Sequence, residues 1–562
     1  MPSTKTPPAA RPRRILTALK LVLAAAGMAL VARPAVASTY AVYIPLDSSI
    51  YNEIEALNDL GVVDSYLGEI KPITRVEAAR LTVEAEAKLS ESNNPSELAR
   101  SLITALRMQL PEEIGWIEQD KEDGLPTMIH PIERLEGEYV YSQGERRKVQ
   151  TGANGIDFKE GTPLLPYNDN LATSSGSNEV LRWSGWTGVG GFITGYGEGA
   201  IAGPLSKDPR DANRAQLLTG AVVVSLGNEA ISFGQEEMQW GVGHFNQLSQ
   251  SANGLPFPAL RVQNIHPKIL PGFLKYLGLM RHQIFLGQLD AGRTFSRPWI
   301  SGQLISFRTL PFLEWGIDHT IMFGGAGNDN YSALGFLGNV TGLSTGDAKT
   351  ANTNSRFGLF ARVYIPRLRN TQVYAEQVNE DFFLPFGKSF QMKLPFKGPS
   401  YLAGIYLPAL TQDGRTTARF EYTMTDKEYS VHNDSLYWTY NNSLMGSALG
   451  PSAWQVNFQV GRWLNYQSKL DLDLFYTSRR ASIAAVNFNP PTRNTETAYG
   501  LAFDFLRLPL EMRALADSLG EMKARTAVEY VSDVNYSNSS SMRAMVQLSF
   551  AFTPSWGGFV WR

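Results

Sequence analysis

From about Leu135 onward, apolar and polar residues alternate with period two in short runs. The clearest pair lies between Gln455 and Tyr476. Val456, Phe458 and Val460 alternate with Gln455, Asn457 and Gln459. Beyond a few polar residues around Asn465, Leu470, Leu472, Leu474 and Tyr476 alternate with Lys469, Asp471 and Asp473. Successive side chains of a strand point to opposite faces, so this stretch predicts a β-hairpin with one apolar and one strongly polar face. Ala418–Met424 and Val546–Phe552 repeat the pattern. With the further runs from Leu135–Gln143 to Glu521–Val531 the count reaches about 18, an even number such as a closed bacterial barrel needs.

The connections between runs alternate in length. Leu310-Pro311, Pro366–Asn370, Thr411–Gly414 and Leu464–Ser468 are short. Gly324–Ser355, Glu380–Ser400, Thr425–Pro451 and Arg479–Thr497 are long. Outer-membrane barrels have short periplasmic turns and long external loops, whereas a soluble sandwich has no reason to lengthen every second loop. Pro509–Gly520 is expected to be a longer, helical connection on the periplasmic side. At the C-terminus the last strand either runs on through Phe559 and Trp561 or stops near Phe552 and leaves a short tail.

The period changes ahead of the barrel. Ile50, Ile54, Leu57 and Leu60 lie at helical spacing, with Gly61 placed to cap the helix. Thr74-Arg75-Val76-Glu77 reads as a capping box and opens a second helix. A third is expected to start at Asn94-Pro95 and to bury Leu98, Leu102, Leu106 and Leu110. Ahead of these helices, Arg11, Arg13 and Arg14 precede an apolar run, and Ala35-Val36-Ala37 offers a cleavage site. The expected division is a signal peptide over 1–37, a periplasmic helical domain over 38–130 and a barrel over 131–562. The fold class is an all-β transmembrane barrel of about 18 antiparallel strands with an N-terminal periplasmic α-helical bundle.

Composition sharpens this picture. The 562 residues include no cysteine, which excludes a disulfide framework. Residues 1–37 carry six basic residues and no acidic ones, so their removal takes the formal net charge from -2 to -8. That balance gives no sign of a nucleic-acid partner. Gly342-Leu343-Ser344-Thr345-Gly346 matches a nucleophile-elbow pattern, but no helix follows it. Glu236-Glu237 on a strand would point to opposite faces. His244, His266, His282 and His319 lack ligand spacing. No catalytic residue, metal ligand or cofactor is expected.

Three aromatic clusters stand beside polar groups: Tyr437-Trp438-Thr439-Tyr440-Asn441-Asn442, Arg297-Pro298-Trp299 and Trp240-Gly241-Val242-Gly243-His244. Flat aromatic faces beside amide and guanidinium donors can hold sugars. The same rings can equally belong to the interface girdle or pack loops into the barrel mouth.

Two further segments bear on family. The first runs from Tyr43-Ile44-Pro45-Leu46-Asp47-Ser48 through Leu60-Gly61-Val62-Val63 to Ile73-Thr74-Arg75-Val76-Glu77-Ala78-Ala79-Arg80. The second runs from Ser232-Phe233-Gly234-Gln235 through Trp240-Gly241-Val242-Gly243 to Asn253 and Arg261, with Gly302–Arg308, Pro311, Leu313-Glu314 and Gly316 after it. Together they resemble the Wzi-type capsule assembly family. Gln239 and Val242 stand where that family often has a second tryptophan and a proline. The resemblance implies a barrel of the Gram-negative outer membrane that retains capsular or exopolysaccharide and is not an enzyme. Its partners would be surface polysaccharide, outer-membrane lipid and, during biogenesis, the barrel-assembly machinery. The candidate glycan contacts are Trp240, His244, Asn253, Arg261, Arg297, Trp299, Tyr437 and Trp438. Ile50 to Ala79 also resembles a surface-layer homology repeat, which would make the chain a porin with a wall anchor.

Overall fold

The period-two runs form eighteen long antiparallel strands in one closed wall in the computed structural model. It describes residues 39–561 apart from 94, 120–124, 148–149, 152–155, 158–163, 165–174, 204–214, 329–352, 381–398, 428, 431–435, 442, 481–494, 513–517 and 555–557. The expected signal peptide and the Gly342–Gly346 motif therefore lie outside the described residues. The first strands are β1 (Thr127–Gln143), β2 (Gly176–Val189), β3 (Ile193–Ala202), β4 (Ala215–Leu226), β5 (Glu229–Gln235) and β6 (Pro258–Asn264). Next come β7 (Leu279–Gln288), β8 (Trp299–Leu310), β9 (Leu313–Phe323), β10 (Asn354–Ile365), β11 (Thr371–Glu380) and β12 (Pro399–Leu407). The last are β13 (Thr416–Met424), β14 (Ala453–Asn465), β15 (Ser468–Arg480), β16 (Thr495–Met512), β17 (Ser518–Ser532) and β18 (Ser541–Thr553). Each pairs with its neighbours in sequence, and β1 closes the ring on β18 from Leu135↔Phe552 to Gln143↔Ala544.

Closure removes the sheet edge, so no row of backbone groups faces lipid unpaired. Outward positions carry exposed apolar residues such as Phe420, Phe458, Leu474, Phe503 and Leu548. Inward positions carry buried charges such as Arg281, Arg308, Glu314, Arg356, Glu376 and Glu421. On the outward face Trp454, Tyr476 and Tyr499 meet tilted and edge-on across β14, β15 and β16, with ring centroids 4.9 Å and 4.8 Å apart. They form part of an aromatic girdle near the external end. The periplasmic turns are tight: β2 meets β3 through Gly190 and Gly191 at φ +63 and +77, where a primed hairpin turn needs left-handed residues.

Four helices stand before the wall: α1 (Ser49–Asp59), α2 (Arg75–Ser90), α3 (Glu97–Gln109) and α4 (Pro111–Glu118). Gly61 supplies the left-handed residue after α1 at φ +74. Thr74 accepts from the Glu77 amide at 3.2 Å, but the Glu77 carboxylate turns to Arg80 and His266 instead of completing the box. The third helix begins later than the sequence implies. Ser96 caps it by accepting from the Ala99 amide, so Pro95 stays outside. Leu98, Leu102, Leu106 and Leu110 are buried in one core with α1 and α2. That core also takes in Trp463 and Leu508 from the wall and Ala252 from a loop. The helical domain thus fills the periplasmic half of the lumen.

Three details at this end differ from expectation. β1 begins at Thr127, ahead of the boundary at 131. β16 and β17 stay paired through Leu510↔Gly520 to Met512↔Ser518, where a helical connection was expected. Leu508 on β16 is buried in the helical-domain core, which gives the lengthened sheet an inward partner. The terminal strand is neither continuous nor followed by a free tail. Phe559–Trp561 forms a separate short strand on Thr127–Ile129, the part of β1 that extends past the end of β18.

Candidate functional site: loops clasped in the lumen

Between β5 and β6 the chain leaves the external rim, enters the lumen and returns. At the bottom of this excursion Trp240 and Gln239 pair with Ile70 and Lys71 of the helical domain as a two-stranded ribbon. The Gly241 amide donates to the Glu69 carbonyl at 3.1 Å. Trp240 is fully buried, its indole N–H donates to Gln283 Oε1 at 2.5 Å, and its ring lies 5.4 Å from Phe285. Gly302 leaves the room for these rings, since a Cβ there would stand 2.4 Å from Phe285.

Two wall carboxylates hold the excursion by its backbone. Glu376 on β11 accepts from the Val242 amide at 3.1 Å and the Leu248 amide at 3.3 Å. Glu421 on β13 accepts from the amides of His244, Phe245 and Asn246 at 2.8, 3.1 and 3.3 Å. Tyr374 donates to the same Glu421 at 2.9 Å. A carboxylate has room for about four such bonds, so Glu421 is close to filled. The His244 ring is solvent-accessible within the barrel and stands edge-on to Phe245 at 4.8 Å. The surrounding protein and the cations Arg419, Lys469, Lys71 and Arg362 disfavour its charged form and lower its pKa.

The connection between β13 and β14 also folds inward. Glu380 on β11 accepts from Trp438 Nε1 at 2.8 Å and from the Ser430 amide at 3.2 Å. Arg356 on β10 pairs with Glu380 at 2.9 Å, and its guanidinium lies 4.7 Å from the Tyr429 ring and 4.5 Å from the Trp438 ring. The two inward loops bind one another. Tyr429 donates to the Leu248 carbonyl at 2.6 Å, Ser251 to the Gly446 carbonyl at 2.6 Å and Asn253 to the Leu444 carbonyl at 3.2 Å. Arg293, from the loop between β7 and β8, donates to the Tyr437 carbonyl at 3.0 Å and lies 4.7 Å from the Tyr437 ring.

The sequence candidates therefore divide. Trp240, Arg261 and Trp438 are buried with their polar atoms directed to protein. Arg261 pairs with Glu236 at 2.6 Å, donates to the Glu237 carbonyl at 3.1 Å and lies 4.4 Å from the Tyr43 ring. These three, expected as glycan contacts, hold loops and plug together instead. Tyr437 is nearly buried, and its ring lies beside Arg293. Arg297 is exposed, while Trp299 and Asn253 are partly so. Glu236 and Glu237 sit just past the end of β5, and Glu237 accepts from the Leu46 amide at 2.9 Å. Sequence reading missed Arg293, Arg356, Glu376, Glu380 and Glu421. For Glu421 the signal was a charge at an inward position between lipid-facing Phe420 and Tyr422; Arg293 lies in a loop and carried no such signal.

The sequence pattern of the family described as capsule assembly protein Wzi matches residues 147–542, more than half of the chain. The chain belongs to the Wzi capsule assembly family. It is an outer-membrane β-barrel protein of capsule assembly. The structure is similar to that of Wzi from Escherichia coli, an outer membrane protein involved in group 1 capsule assembly and a carbohydrate-binding β-barrel. That match has 14% identity and a TM-score of 0.60 and covers 91% of this chain and 99% of the other. Pseudomonas aeruginosa OccK3 matches at 11% identity and a TM-score of 0.44, over 76% of this chain and 97% of that one. Pseudomonas aeruginosa OprD matches at 10% identity and a TM-score of 0.40, over 76% and 94%. No curated protein sequence matches. In this Wzi-family barrel, the two inward loops and the helical domain occupy the lumen, with Leu164 from the connection between β1 and β2 packed on inward Val140.

Proposed function

We propose that this Wzi-family barrel acts as a lectin-like holder, keeping capsular or exopolysaccharide on the cell surface without cleaving it. The observation that carries the reading is the pair of inward loops, pinned by Glu376, Glu421 and Glu380 and tied to each other. They give the external mouth a fixed floor. A preorganised surface binds with less ordering cost than a free loop does. Arg297 and Asn253 supply guanidinium and amide groups with accessible surface, whereas Trp299, next to inward Ile300, faces out of the wall. Lipid surrounds the wall, and the barrel-assembly machinery would insert it after export.

Deletion of the gene, with cell-bound and shed polysaccharide quantified, tests this. Unchanged total output with glycan moved into the medium supports retention. Glycan that stays on the cells refutes it, and the porin reading would then be taken up by measuring ion conductance of the purified barrel.

A further inference from the structure

Residues 265–278, between β6 and β7, are unlike the other periplasmic connections. They project as a short strand, Lys268–Ile269, followed by a 3-10 turn, Gly272–Leu277. The projection has a built shape. Lys268 and Ile269 pair with Met280 and Leu279 of β7. Gly278, at φ +81, lies so close to β8 that a Cβ would stand 2.0 Å from the Arg308 carbonyl oxygen. Thr309 of β8 donates to the Leu277 carbonyl at 2.9 Å. Yet its tip presents apolar groups outward. Phe273 is 80% exposed, Tyr276 74% and Ile269 62%. A turn in water is ordinarily made of Gly, Asn, Asp and Ser, and burying such rings is favourable.

The position of the projection says what covers it. Thr309 alternates with inward-facing Arg308, so the hydrogen bond to Leu277 is made on the outward side of the wall. The outward positions Met280 and Phe307 beside it are buried, whereas outward Ile284 higher on β7 is 44% exposed. Leu310 and Phe312 in the next periplasmic turn are exposed as well. Between Met280 and Ile284, outward His282 meets Glu229 at 3.2 Å, and Glu229 also pairs with Lys268 of the projection, so a charged cluster stands between the apolar tip and the lipid-facing belt. Lys275, 5.3 Å from the Tyr276 ring, adds a cation at the level where phosphate groups lie.

We propose that residues 265–278 form a foot seated in the inner leaflet of the outer membrane, with Phe273, Tyr276 and Ile269 at the boundary between phospholipid headgroups and acyl chains. Amphipathic rings favour that depth. The foot would fix the depth of the barrel on one side of its periplasmic rim, independently of how its external face binds glycan.

The chain has no cysteine, so single nitroxide labels can be placed without altering the background. Phe273→Cys, Tyr276→Cys and, as a control in an exposed turn, Asp413→Cys are labelled in the full chain. Each is reconstituted into phosphatidylethanolamine/phosphatidylglycerol vesicles, with barrel folding checked by heat-dependent gel mobility. At 273 and 276 collision with dissolved oxygen should exceed collision with a water-soluble nickel chelate, and at 413 the order should reverse. Labels at 273 and 276 as open to the chelate as 413 would overturn the foot. So would labels immobilised and shielded from both reagents, as a covering protein partner would leave them.

Discussion

Glu421 stands between Phe420 and Tyr422, one residue facing inward between two that face lipid. Its three loop amides show what such a charge does in a barrel that is not an open channel. Glu421→Ala leaves those N–H groups without their acceptor, and a buried donor left unpaired costs about 1–3 kcal/mol. Hydrogen exchange at residues 244–246 should then quicken by about tenfold or more while exchange in the strands stays slow. Unchanged exchange there would mean that Glu421 does not hold the loop. A second residue-scale prediction concerns Glu53 on α1. It is fully buried, and burial pushes its pKa up to about 8, with repulsion from Glu521 adding and hydrogen bonds from Gln109 and Ser49 opposing. The folded state therefore keeps a proton that the unfolded chain releases near pH 4.5. Its contribution is complete below that value and is lost as pH rises to about 8. Thermal stability of the helical domain should fall across that window in the wild type and change less in Glu53→Gln; parallel curves would refute the assignment. Residue roles were the least legible part of the sequence. Trp240 and Trp438 carried aromatic signals that fit sugar contact and loop packing alike, and only the partners of their ring nitrogens separate the two. Glu376 and Glu380 carried no signal beyond a charge at a lumen-facing position.

At the scale of elements, periodicity served well wherever one face met lipid or a core. The eighteen strands and the apolar stripes of α1, α2 and α3 follow from it. It failed where a second partner changed the balance. The stretch after Leu508 reads as helical in isolation, yet β16 and β17 stay paired through it against the helical domain. The short last strand satisfies backbone groups on β1 that no local pattern reveals. Helix starts were decided by hydroxyl caps, so Ser96 prevails over Asn94-Pro95. The shared core of helices and wall makes a prediction at this scale. Leu102 is fully buried in it, and Leu102→Ala should cost about 2–5 kcal/mol. Because the wall has its own closed ladder, the loss should appear as faster exchange in α1, α2 and α3 with the heat-dependent gel shift of the barrel retained. Loss of the gel shift would show that wall and plug form one cooperative unit.

At the scale of the molecule, a wall that excludes lipid from its charges encloses the helical domain, the loop through Trp240 and the loop through Trp438. The first two meet at the Ile70↔Trp240 pair, and the two loops meet at Ser251 and Tyr429. Barrel and family were legible from alternation, loop lengths and short motifs. The filling of the lumen was not, because a loop that folds inward and one that stands in water have similar compositions. The central claim is that the external face held by these loops binds polysaccharide. Binding of polysaccharide purified from the same bacterium to the full chain in lipid nanodiscs tests it most directly. Saturable binding, weakened severalfold in an Arg297→Ala variant and unchanged in Asp413→Ala, is the expected result. No binding by the folded wild-type barrel would contradict the account.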